Sequence, residues 1–292
     1  DNFFYDKANT SIIKQKTNNI DTTVKKLLER TQRKICSQEQ ELIDASDNET
    51  YKIFGELLTA NLYQLPKGNT KNVKVFNYYT NEEIEIQLDP LLSMKDNASK
   101  YFTKYQKMKK TIIHLEKQIE ISKQEKNYLE LILMQISQAN LNDIKEIRNE
   151  LIANHYLKAT KIEKRKDKVQ PLIYLTDEGT EILVGKNNIQ NETITHKLAK
   201  HNELWFHVKD GPGSHVVLRK TENYTENEIR TAAMIAAYYS NYKQSSSVEV
   251  CYTLVKYIKK IPGHKNCFVT FSNEKSIFID PDKNLIEKLS IR

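Results

Sequence analysis

Between Tyr101 and Ile136, apolar side chains recur in alternating steps of four and three residues. The series is Tyr101, Tyr105, Met108, Ile112, Leu115, Ile119, Leu129, Leu133 and Ile136, broken only at Ser122 and Lys126. A stripe of that period belongs to one side of a coiled-coil helix, and its seam needs a partner to leave water. A weaker stripe through Ile13, Ile20, Val24, Leu27, Ile35 and Leu42 lies in a stretch without Pro or Gly. Two helices of roughly 35–40 residues, about 55 Å each, suit one another. An antiparallel hairpin is the simplest pairing because it needs no long return connection. A coiled-coil dimer is the alternative, which leaves the oligomeric state open.

The segment between the stripes has another pattern. Residues 49–63 (ETYKIFGELLTANLY) read as a short amphipathic helix, ended by the PKG at 66–68. Val73, Val75 and Tyr79 then alternate with polar residues and, after a turn at 80–82, Ile84, Ile86 and Leu88 alternate as far as Pro90. A lone two-stranded hairpin is marginal in water, so it is expected to pack on the short helix. This gives a small domain at 46–95, at the tip of an arm covering 1–155. A further helix at 142–154 carries Ile144, Ile147 and Leu151 on one side. A basic linker at 156–169 follows, with Lys158, Lys161, Lys164, Arg165, Lys166 and Lys168.

From 170 to 292 the pattern becomes short β-type runs at 172–175, 181–184, 204–208, 215–219, 248–254, 267–271 and 276–279. Two helices are expected, at 189–199 and at 225–239. The second has Thr225 as N-cap and an Ala-rich run. The fold class is therefore α+β: a long antiparallel coiled-coil hairpin with a small α/β tip domain, followed by a compact α+β domain with a mostly antiparallel sheet.

A formal charge of +7 over 292 residues and a pI near 9.0 favour polyanionic partners such as nucleic acid or an anionic membrane surface. No apolar run reaches the roughly 18 residues that a spanning helix needs, so no membrane insertion is expected. Cys36, Cys251 and Cys267 lack CxxC spacing. That argues against a disulfide framework or zinc site and fits a reducing, cytoplasmic compartment. The start at Asp1 without Met or signal peptide reads as a cut, with further chain expected before it. Lys100, Lys104, Lys107, Lys109 and Lys110 fit either a phosphate-tracking side of the arm or an ordinary solvated surface.

Two segments concentrate polar and aromatic chemistry. GKNNIQN at 185–191 opens a helix, so Lys186, Asn187 and Asn188 stand where backbone N–H groups can receive a phosphate. In the strand at 204–208, Trp205, His207 and Lys209 alternate onto one side, the aromatic and cationic combination that stacks on a base and neutralises a phosphate. The following loop and strand add Asp210, Gly213, Ser214, His215 and Arg219 as further polar or backbone contacts. Trp205 equally fits a core position. His207 and His215 have no evident third metal ligand. Ser214 and His215 are strand neighbours that point to opposite sides, so they form no triad. Gly185-Lys186 lacks the upstream glycines of a P-loop. No metal, cofactor or catalytic group is expected, and the domain reads as a binding module, not an enzyme.

The run 204–219, with 185–191 upstream, resembles the RNA-binding C-terminal module of the NFACT family, NFACT-R. The YIKKIPG at 257–263, which brings in Lys259 and Lys260, then Phe268-Val269 and Asp280-Pro281-Asp282, resembles the same module. Upstream, 51–68, 88–90 and 97–102 resemble the family's middle and coiled-coil region, so the resemblance covers essentially the whole chain. The family includes the bacterial RqcH proteins, also known as fibronectin- or fibrinogen-binding proteins. The resemblance implies binding to an obstructed large ribosomal subunit and to tRNA, with alanine tailing of the stalled chain by full-length members. It also implies an arm that reaches the stalk base and a C-terminal module that contacts RNA. The family's N-terminal domain, with the Asp-Arg pair needed for tailing, and its helix-hairpin-helix region have no counterpart here, so tailing is not expected of this span. Trp205, His207, Lys209, Asp210, Gly213, Ser214, His215 and Arg219 carry over as motif positions. A surface adhesin for host fibronectin or fibrinogen, exposed by a non-classical route, is the competing expectation.

Overall fold

A computed structural model describes residues 2–65, 70–158, 170–261 and 268–291, with side chains of 2–16 and 290–291 excepted. The helix-ending PKG at 66–68, the basic linker from 159 onward, and Pro262, Gly263 and Cys267 lie outside these residues. The chain forms two compact units, one of Glu29–Glu125 and one of Asp1–Leu28 with Lys126–Arg292.

In the first unit, the part of α1 (Asn2–Ser46) from Glu29 onward and the part of α3 (Met94–Gln138) up to Glu125 run antiparallel. Ser122 Oγ donates to Gln38 Oε1 at 2.9 Å, and Lys123 pairs with Glu39 at 2.9 Å. The four-three stripe is the covered side: Leu115, Ile119 and Ser122 are buried, whereas Ile113 and Ile121 are exposed. The break at Ser122 is thus a buried polar position satisfied from the facing helix. Between the two helices, α2 (Glu49–Ala60), β1 (Asn72–Asn77) and β2 (Glu82–Gln87) enclose a core of Leu57, Leu58, Val73, Val75, Ile86, Leu88 and Ala98. The β-hairpin is in register with Val75 opposite Ile84. A Cβ on Gly55 would come within 2.9 Å of the Phe102 ring, so glycine lets α2 approach α3 closely. The expected helical hairpin and small α/β domain are both present.

In the second unit, α4 (Leu141–Ala153) begins at a capping box of Asn140 and Asp143. Ile144, Ile147 and Leu151 pack with Ile20, Val24, Leu129 and Ile132. The remaining elements are β3 (Leu172–Leu175), β4 (Glu181–Val184), α5 (Asn188–Thr193), a π-helical turn (Ile194–Leu198), β5 (Leu204–Val208), β6 (Val216–Leu218), α6 (Glu226–Tyr238), β7 (Val248–Leu254), β8 (Ile258–Lys260), β9 (Val269–Phe271), β10 (Lys275–Ile279), α7 (Lys283–Lys288) and β11 (Ser290–Ile291). Seven strands form one sheet in the order β10-β7-β5-β6-β4-β3-β11, and every pairing is antiparallel.

Strand alternation sends Leu204, Phe206 and Val208 to the side that α6 covers. Trp205 goes to the other side, where Leu183, Ile194, Val217, Val255 and Ile258 enclose it. The helix expected at 189–199 is instead α5 continued by the π-helical turn. The expectation missed β8, α7 and β11, of three, six and two residues, too short to show a period.

Candidate nucleic-acid interface

The GKNNIQN segment turns inward. Lys186 Nζ meets Asp143 Oδ2 at 2.8 Å. Asn187 Nδ2 donates to Glu146 Oε2 at 2.8 Å, and Asn188 Nδ2 donates to Glu150 Oε1 at 2.7 Å. Gln190 Nε2 donates to Asp143 Oδ1 at 2.8 Å. Asn187 and Asn188 are fully buried, and Asn187 Oδ1 caps α5 through the Gln190 N–H. A Cβ on Gly185 would fall 2.2 Å from Asn191 Oδ1, which makes glycine obligatory there. Where an open phosphate cradle at Lys186, Asn187 and Asn188 was expected, the side-chain donors of these three residues face the carboxylates of α4.

The expected stacking strip of Trp205, His207 and Lys209 is divided between interior and surface. Trp205 is 1% exposed, its ring parallel to His207 at 5.6 Å, with His215 edge-on at 5.1 Å and Phe271 at 5.4 Å. A base cannot reach it without opening the core. The His207 Nδ1–H donates to the Val208 carbonyl at 2.7 Å, and His215 Nδ1 shares a hydrogen bond with Thr195 Oγ1 at 2.8 Å. Burial pushes the His207 imidazole below its ordinary range. Burial pushes His215 well below it, reinforced by His207 and His196.

The other expected residues are dispersed. Lys209 is exposed and pairs with Glu249 at 2.9 Å. Asp210 adopts φ 52° at the turn, and its carbonyl accepts from the Tyr242 hydroxyl. A Cβ on Gly213 would meet Val208 Cγ2 at 2.8 Å. Ser214 is buried, with its N–H bonded to the Tyr239 carbonyl. Arg219 Nε lies 3.4 Å from Glu203 Oε1. Lys260 pairs with Glu192, and Lys259 is exposed on β8. Trp205 and His215 are buried, with His207 half-buried against them; Lys259 and Lys260 stand on the outer surface beyond.

Sequence reasoning missed the cations beside those two. Lys197 and Lys200 are exposed around the end of the π-helical turn, and His201 and Lys256 are exposed nearby. The Lys256 N–H donates to the His201 carbonyl at 3.0 Å, and the Val255 N–H to the Glu203 carbonyl at 3.0 Å, so the two segments lie side by side. The signal was available: residues 194–202 and 255–273 contain no Asp or Glu. Among the described residues, no three His, Cys, Asp or Glu side chains converge as metal ligands, and no helix is long and apolar enough to cross a membrane.

Comparison with known proteins places this geometry in context. Residues 1–170 match the family model for the NFACT N-terminal and middle domains, and residues 170–269 match that for the NFACT protein RNA binding domain. A Bacillus subtilis protein named Rqc2 homolog RqcH is 40% identical over 99% of this chain and 51% of its own length. Its Streptococcus suis counterpart is 42% identical over 100% of this chain and 53% of its own. The chain thus spans about half the length of these relatives. The solved C-terminal part of the fibronectin/fibrinogen-binding protein from Streptococcus suis superposes with a TM-score of 0.76 at 35% identity, covering 95% of this chain and 99% of that one.

Proposed function

Because this chain belongs to the NFACT family, we propose that it is the RNA- and ribosome-binding portion of a ribosome-associated quality-control factor, acting in the cytoplasm by binding and not by catalysis. The observation that carries this reading is the alignment of essentially the whole chain with about half of each of two RqcH proteins, within which the RNA-binding domain model falls on the sheet domain. The partners proposed are the large ribosomal subunit and tRNA. Alanine tailing is proposed for the whole protein, of which this chain is a portion.

The test is direct binding of the chain to purified large subunits and to tRNA. Association that weakens steeply with added salt is expected, because counterion release dominates protein–RNA affinity. No association at low salt by folded protein would overturn the reading. A second reading, binding of host fibronectin or fibrinogen, is favoured by the structural relative from Streptococcus suis, a protein named for binding those two ligands. Saturable capture of nuclease-treated chain by immobilised fibronectin at physiological salt would support it.

A further inference from the structure

We propose that the RNA surface of the sheet domain is the ridge formed by the π-helical turn with β8, on the side of the sheet away from α6, and that it takes the phosphate backbone of RNA and not its bases. The inference rests on the RNA-binding reading and assigns it a place and a mode.

Residues 194–202 and 255–261, both without acidic residues, lie side by side here. What joins them is apolar: Ile194, Val255 and Ile258 close over Trp205, with Ala199, Val269 and Phe271 packed around. Trp205 is the floor of the ridge, so the lone Trp contributes by holding the cations in place. Above it, Lys197, Lys200, His201, Lys256 and Lys259 are exposed. Lys256 and Lys259 sit on either side of Tyr257, and Lys256 Nζ lies 5.2 Å from that ring's centre. Lys260 is held by Glu192, and Glu203 is buried against Arg219. With Glu192 and Glu203 already paired, the exposed lysines keep their positive field for an outside anion.

The α6 side differs. Glu178 stands within hydrogen-bond reach of Thr225 at the start of α6, and Glu222 and Glu226 are exposed beside it. The ridge offers lysines, and the domain's Trp is sealed beneath them. Lysines act as point charges toward phosphate, whereas base recognition requires an accessible ring or a bidentate donor. Lysine contacts therefore predict charge-driven binding with little sequence preference.

The experiment uses the full chain and a 20-base-pair RNA duplex. A triple variant, Lys197→Gln, Lys256→Gln and Lys259→Gln, is compared with a control of equal charge change on the α6 side, Lys243→Gln, Lys275→Gln and Lys288→Gln. The ridge variant is expected to bind at least ten-fold more weakly at low salt. The slope of log affinity against log salt should fall by about 2–3, at roughly 0.9 per phosphate contact. The control should stay within about three-fold of wild type, and exchanging a GC-rich for an AU-rich duplex should change affinity less than three-fold. Equal losses in both triple variants, or a ten-fold sequence preference, would overturn the proposal while leaving RNA binding intact. Failure of the wild-type chain to bind any RNA would instead remove the reading beneath it.

Discussion

At the scale of single residues, the segments richest in functional residue types mostly build the fold. Asp143 receives Lys186 Nζ and Gln190 Nε2 while closing the capping box of α4. Asp143→Ala would strand a largely buried ammonium and break the N3 half of the capping box together, costing about 2–4 kcal/mol, readable as a lower urea midpoint. Trp205→Ala opens a cavity under the ridge and is expected to cost about 3–5 kcal/mol. Its loss of RNA affinity should then track the unfolded fraction, whereas a contact role would weaken binding with stability unchanged. The imidazoles packed around Trp205 set a pH dependence. His207 and His215 titrate lower in the fold than in the unfolded chain. Below the unfolded value of about 6.5 the unfolded state therefore binds more protons, and stability falls with pH. Glu228 acts lower still. Burial would raise its pKa, but hydrogen bonds from Lys220, Thr180 and the Thr225 N–H bring it to about 2 from 4.5. Its stabilisation is present above pH 4.5 and lost as the pH falls toward 2. The urea midpoint should be level from pH 8 to 7 and decline from 6.5 to 5; a level midpoint down to pH 5 would contradict the histidine account.

At the scale of elements, the two periods in the sequence identify most of the architecture. The four-three stripe of 101–136 becomes the covered side of α3 because a heptad seam has one stable solution, burial against a similar helix. Alternation identified β1, β2 and the central strands of the sheet for the same reason. Signals that depend on contacts remote in sequence were not legible. Whether Trp205 is floor or platform depends on β8, a three-residue strand rich in lysine. Whether Lys186 meets a phosphate or a carboxylate depends on α4, more than thirty residues upstream. Composition did carry the ridge, through the missing acidic residues, but only the fold shows that the two stretches adjoin. The part-buried Ser122–Gln38 bond invites an element-level test. A double-mutant cycle with Ser122→Ala and Gln38→Ala should give a coupling of about 1 kcal/mol, read from helical ellipticity in urea. Zero coupling would mean that this bond does not set the register of α1 against α3.

At the scale of the molecule, a positively charged chain in the NFACT family has most of its conspicuous motif residues inside the sheet domain and a lysine ridge on its outside. Such an arrangement predicts affinity that is electrostatic in origin and broad in sequence. It also separates the two readings by their response to salt, since adhesion to a protein ligand need not share the steep dependence of phosphate binding. The most direct test is sedimentation of the chain with purified large ribosomal subunits from about 50 to 500 mM monovalent salt. The account predicts saturable co-sedimentation at the low end and a steep, linear loss of log affinity with log salt. Absence of binding at the low end, from protein shown to be folded, would contradict it.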